Sequence, residues 1–158
     1  MAVGFPARPW YPAVNGFHEV RMIPDLQTSL LCDDVRQERN GKFILIGIFD
    51  GIFLAQLPGI FPRLCLVNRW CCGEGTFTQR SRLVAPDGTS AVCEGQPVPI
   101  TLPDENQVAT TVEVFANVQF RAAGVYWIEV HLDQQLRLRY PLHVRQAPAQ
   151  PPPPPAQG

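Results

Sequence analysis

The chain has 158 residues, a formal net charge of −1 and 17 prolines, a length that suits one domain burying roughly two-thirds of its unfolded surface. Both charge signs are interspersed, which excludes the basic stripe of a dedicated nucleic-acid binder. No stretch approaches the ~20 apolar residues of a membrane-spanning helix.

Residues 1–24 read as a proline-rich irregular arm, because Pro6, Pro9, Pro12 and Pro24 are incompatible with a helix. The arm carries Phe5, Trp10, Tyr11 and Phe17. Such aromatics either anchor a partner or lie across their own domain. Met1 to Met22 has no lysine-flanked apolar block of the kind a secretory signal requires. The expected location is therefore cytoplasmic, or outside the cell by an unconventional route.

Residues 25–146 read as a β-sandwich domain. Leu26–Asp34 is the first strand, Asn40-Gly41 a turn, and Lys42–Phe49 the second strand. In that second strand Ile44, Ile46 and Ile48 face one way and Phe43, Leu45 and Phe49 the other. Apolar residues on both faces predict a central strand, or one covered by the arm or a neighbouring chain. Asp50-Gly51 turns toward Ile52–Leu54, and Leu57–Pro62 is a loop. Arg63–Cys72 is a strand plugged by Trp70, and Gly73-Glu74-Gly75 a turn into a hairpin partner, Thr76–Ala85. Pro86–Thr89 is a further turn, Ser90–Cys93 a short strand, and Gly95–Pro103 at most an edge strand.

The clearest periodicity runs from Val108 to Val144. Val108, Thr110, Val112, Val114, Ala116, Val118 and Phe120 take one face; Ala109, Thr111, Glu113, Phe115, Asn117 and Gln119 take the other. The valine-rich face is expected to be buried. In the next strand Tyr126, Ile128, Val130 and Leu132 alternate with Trp127, Glu129 and His131. A three-residue loop, Asp133–Gln135, then sets Leu132 opposite Leu136, Val130 opposite Leu138, Ile128 opposite Tyr140 and Glu129 opposite Arg139. It also sets His131 opposite Arg137 on the wet face. Residues 147–158 read as a disordered tail whose Pro151–Pro155 run favours polyproline II.

These elements predict an all-β, antiparallel, immunoglobulin-like sandwich of about eight strands with irregular proline-rich termini. A closed barrel is the alternative. Several segments together, Leu31-Cys32-Asp33-Asp34-Val35, Asn40-Gly41-Lys42, Leu45–Asp50, Phe61-Pro62, Val84–Gly88 and Ala123–Tyr126, resemble a family of small bacterial proteins known only as a domain of unknown function. The resemblance spans about residues 28–145 and implies an immunoglobulin-like sandwich without an assigned activity. The chain departs from that pattern where Gln134-Gln135 stands in place of a hairpin glycine.

No catalytic constellation emerges. His18, His131 and His143 lack an accompanying serine or cysteine motif. Cys32, Cys65, Cys71, Cys72 and Cys93 show no CxxC spacing and read as reduced, small apolar residues. Asp33 and Asp34, near Asp50, read as turn-capping residues at Asn40-Gly41 rather than a cation site. The expected function is non-catalytic: protein–protein contact or self-association, with no cofactor, no metal, no nucleic acid, no membrane and no small-molecule ligand. The candidate surface comprises Trp10, Tyr11, Trp127, Phe115, Arg137 and Arg139, besides the edge strands and the doubly apolar Phe43–Leu54 segment. The alternative is a carbohydrate-binding module that stacks sugars on Trp127, Trp10 and Tyr11.

Overall fold

A computed structural model describes residues 21–148. Most of the proline-rich arm, with Trp10 and Tyr11, and the Pro151–Pro155 tail lie outside the described residues. Ten strands form two sheets: β1 (Asp25–Gln37), β2 (Phe43–Phe49), β3 (Gly51–Leu54), β4 (Gly59–Cys71), β5 (Gly75–Val84), β6 (Ala91–Glu94), β7 (Val98–Leu102), β8 (Val108–Phe120), β9 (Gly124–Leu132) and β10 (Gln135–Gln146). The count exceeds eight because the short segments β3, β6 and β7 each pair as strands. One sheet has the order β2-β1-β4-β8; the other has the order β3-β10-β9-β5-β6, with β7 also on β5. All pairs are antiparallel except β3 with β10.

The core lies between the sheets and holds Leu31, Leu64, Leu66, Trp70, Phe77, Phe120, Tyr126, Ile128, Val130 and Leu142. Tyr126 meets Phe120 edge-on at 5.0 Å and donates its hydroxyl to the Ala122 carbonyl at 2.9 Å. The β9 alternation holds: Tyr126, Ile128, Val130 and Leu132 are all buried in this core.

Five expectations from the sequence are corrected. The Gly73–Gly75 turn does not close a hairpin. β4 pairs with β1 and β8, while β5 pairs with β6, β7 and β9, so the chain changes sheets at this corner. Cys72 takes φ 58° there and Gly75 φ 124°. The preceding loop is also shorter than expected, since β4 already begins at Gly59.

In β8 the inward parity reverses part-way. Ala109, Thr111, Glu113 and Phe115 point inward over the first half, Val118 and Phe120 over the second. Val112 packs on the outer face, and Val114 is 51% exposed. The switch falls at Ala116-Asn117, where Asn117 takes φ 52° opposite Pro62. Pro62 has no N–H to give, and the ladder resumes on either side of this pair with its register unchanged.

Among the described residues β2 is the outermost strand of its sheet, not a central one. Its two faces also exchange part-way, since Leu45 packs on the outer cluster and Phe49 on the core. Gly47, at φ 67°, makes the exchange, and a Cβ there would overlap the Asp33 carboxylate.

The β9–β10 turn is Asp133-Gln134, two residues with φ 47° and 68°. Positive φ at both central positions is the backbone twist a two-residue hairpin needs. Leu132 therefore faces Gln135, and His131 faces Leu136 rather than Arg137. A bulge between Leu136 and Leu138 restores the expected pairs Val130–Leu138, Glu129–Arg139 and Ile128–Tyr140.

Candidate functional site

The β2 edge is an apolar surface that no strand covers among the described residues. Phe43, Ile44, Ile46 and Ile48 on it are exposed, Ile48 by 59%, and Phe53 on the adjacent β3 by 63%. Among the described residues β2 pairs only with β1, over Leu31–Gln37. The backbone groups on its far side have no strand neighbour among the described residues. Exposed edge strands ordinarily carry charge or proline that discourages pairing. The run Phe43–Phe49 carries neither.

The outer face of β5, β9 and β10 is charged instead. Glu129, only 3% exposed, accepts from Arg82 Nε at 2.6 Å and lies 3.1 Å from His131 Nε2 and 3.5 Å from Arg139 Nη1. Burial alone pushes its carboxyl up, but hydrogen bonds from Arg82 and His131 and the charges of Arg82 and Arg139 outweigh that, so it sits below its ordinary range. Arg139 also stacks over Trp127 at 4.7 Å. Beside this cluster lies a depression of about 490 Å³ lined by Thr78, Arg80, Arg82, Glu94, His131 and Asp133. Arg80 is held by Glu94 at 2.9 Å and Arg82 by Glu129, so these two cations already have carboxylate partners.

A second buried glutamate faces the interior. Glu113 Oε2 accepts from Ser81 Oγ at 2.5 Å, Gln79 Nε2 at 2.7 Å and Asn68 Nδ2 at 3.5 Å. Gln79 Oε1 in turn accepts from Trp70 Nε1 at 2.6 Å and Thr111 Oγ1 at 2.9 Å. Glu113 Oε1 and Asn68 Oδ1 are buried without a hydrogen-bond partner among the described residues. Burial raises the Glu113 carboxyl above its ordinary range, and the hydrogen bonds from Ser81 and Gln79 do not offset it.

The residues singled out from sequence scatter. Trp127 and Arg139 do reach the charged outer face, and Arg137 is exposed at the β10 bulge. Phe115 is 9% exposed and belongs to the core, so it is no part of a surface. Its inward position follows from the β8 parity change. Asp33 and Asp34 do not cap the Asn40-Gly41 turn. Asn40 Oδ1 itself accepts from Lys42 N at 3.0 Å, while Asp34 pairs with Arg63 at 2.9 Å. The cysteines are free. Burial pushes the thiols of Cys32 and Cys93 up to about 11, which keeps them protonated and weakly nucleophilic at neutral pH. Among the described residues no group of three or more His, Cys, Asp or Glu is placed to hold a metal ion.

Sequence reasoning missed Glu113 and its partners Asn68, Gln79 and Ser81. Their only signal was polar residues sharing parity with Phe115 in β8, which read as a wet face.

Residues 27–145 match the model of a family described as a Family of unknown function (DUF6941). The chain belongs to this family. The DUF6941 match opens inside β1 and closes inside β10, so every strand of both sheets contributes to it. No curated protein matches the chain. Membership in DUF6941 assigns no activity, and the functional reading rests on the surfaces described above.

Proposed function

We propose that this domain is a non-catalytic, immunoglobulin-like sandwich of a bacterial protein that works through protein–protein contact, with the β2 edge as the contact surface. The observation that carries the proposal is the exposed strand Phe43–Phe49, apolar on both faces, uncharged and, among the described residues, open along one side. Contiguous apolar surface at a strand edge favours pairing with a further strand, whose main-chain hydrogen bonds supply affinity and whose side chains supply specificity.

The immunoglobulin-like assignment is supported by the Tyr126 hydroxyl reaching back four residues to the Ala122 carbonyl at the start of a core strand, and by the buried Trp70. Both features recur in such sandwiches. The free cysteines support a reducing, cytoplasmic compartment.

The test is a photo-crosslinking residue at Ile48, introduced into the full chain in its native host. A covalent protein adduct at position 48, absent for the same residue at the exposed Glu105, is the expected result. No adduct at position 48 overturns the proposal.

A further inference from the structure

We propose that Cys71 and Cys72 form a redox-active dithiol, oxidised by hydroperoxides to a disulfide between neighbouring residues and restored by small thiols. The site lies at the corner where the chain passes from one sheet to the other.

In a regular strand successive side chains point to opposite faces, so two adjacent cysteines hold their sulfurs apart. Here Cys71 is the last residue of β4, and Cys72 follows it with φ 58°. Glycine adopts that left-handed conformation freely, whereas a residue with a side chain resists it. Gly73 is the very next residue, yet the left-handed position is held by a cysteine. The turn brings Cys72 Sγ within 3.5 Å of Cys71 Sγ. Cys72 is exposed and Cys71 partly so. A sparsely populated backbone conformation that sets two nucleophilic side chains together at the surface points to reactivity rather than packing.

The other three cysteines are placed differently. Cys32 and Cys65 are opposite each other on β1 and β4 but buried. Cys93 is half-buried, and burial pushes its thiol up to about 11.

In the first step the more exposed Cys72 attacks a hydroperoxide as its thiolate. Its sulfur bonds to one peroxide oxygen, the O–O bond breaks, and the other oxygen leaves with the electron pair and takes up a proton. Cys72 is then a sulfenic acid. In the second step the Cys71 sulfur attacks the Cys72 sulfur, the S–S bond forms, the S–O bond breaks, and the hydroxyl leaves with the Cys71 proton as water. Two electrons have passed from the thiols to the peroxide. The Cys71 thiol is held above its ordinary value by the neighbouring Cys72 and by burial, which suits it to the second step. Adjacent Cα atoms are ~3.8 Å apart, below the ~4.4–6.8 Å that a disulfide usually spans. The closed ring is therefore strained, and strained disulfides are readily reduced.

The experiment treats the reduced full chain with hydrogen peroxide, alkylates the remaining thiols under denaturing conditions and maps the peptides by mass spectrometry. The peptide carrying Cys71 and Cys72 loses about 2 Da and resists alkylation, while the peptides of Cys32, Cys65 and Cys93 are alkylated. Reduced glutathione at millimolar concentration reopens the pair. In urea the corner no longer holds the sulfurs together, and the pair closes about tenfold more slowly. Phenylarsine oxide, which condenses with two neighbouring thiols and releases water, binds at one site per chain. Cys71→Ser and Cys72→Ser each weaken that binding about a hundredfold and each abolish the mass loss. The peroxide and urea arms use the unmodified chain and do not depend on how the variants fold.

Five alkylated thiols after peroxide overturn the inference, as does a persistent sulfenic or higher oxide at Cys72 without an S–S bond. A disulfide to any other cysteine, or a closure rate unchanged in urea, overturns it as well.

Discussion

Glu113 and Glu129 are both shut away from solvent, one on β8 facing the space between the sheets, the other on β9 facing outward. Glu129 is surrounded by Arg82, Arg139 and His131. Glu113 has only uncharged donors, Ser81, Gln79 and Asn68, all converging on one of its oxygens. The comparison teaches that burial alone does not set the direction of a carboxyl's titration; the charge of its neighbours does. A carboxyl whose folded pKa is raised, as for Glu113, contributes most below the ordinary carboxylate range and loses that contribution as pH rises through its folded value. A carboxyl whose folded pKa is lowered, as for Glu129, contributes above that range and loses it as pH falls through its folded value. The two therefore pull the pH dependence of stability in opposite senses.

The largest test of this contrast is Glu129→Gln. It removes the charge shared by three basic side chains and costs about 2 kcal/mol at pH 7 in urea unfolding, less than a fully buried pair because the arginines are partly solvated. The cost shrinks in acid, as the pH falls through the carboxyl's lowered folded value and the native group takes up its proton. An equal loss at pH 7 and in acid would mean that Glu129 acts through packing alone.

Gly95→Ala probes the other glutamate. An added Cβ would overlap Glu113 Oε1, and the change costs about 1.5 kcal/mol. Combined with Glu113→Ala, the overlap is gone, and the coupling between the two substitutions reaches about 1 kcal/mol. Additive losses in that double-mutant cycle would show that the carboxylate moves aside freely. Glu113→Gln is expected to raise stability, by about 1 kcal/mol once the pH exceeds the carboxyl's raised folded value, because it removes a buried charge and keeps an oxygen where the three donors meet. At pH 4 the gain disappears. A loss of stability on the alkaline side would reverse the sign assigned to this site.

The same two residues show what the sequence carried. Alternation located the β8 and β9 strands and, from Leu138 onward, the β9–β10 register, because apolar and polar positions there contrast sharply. Alternation gives parity, however, and not which parity points inward. In β8 the polar Thr111 and Glu113 point in and Val114 points out, since their partners Gln79, Ser81 and Asn68 lie on strands distant in sequence. The face exchanges at Gly47 and at Asn117 opposite Pro62 are single-residue backbone events with no periodic signature. The Asp133-Gln134 turn was hidden for a similar reason. It lacks the usual glycine and is anchored from outside the hairpin, by Thr78 N donating to Asp133 Oδ1 at 2.8 Å and by the Arg21–Asp133 ion pair. Apolar residues on both faces of β2 read as a central position because that is where such strands are usually covered; here the covering strand is absent from the described chain.

The smallest effect sharpens the Glu129 side of the comparison. Arg139 acts through two contacts, the stack on Trp127 at 4.7 Å and the approach to Glu129 Oε1 at 3.5 Å. Arg139→Lys keeps the charge but gives up the planar guanidinium that stacks, and costs about 0.5 kcal/mol. In a Trp127→Leu background the stack no longer exists. If Arg139→Lys then costs nothing further, the aromatic ring carries the contribution. If the cost persists, it passes through the Glu129 carboxylate, and it then vanishes with that carboxylate's charge as the pH is lowered.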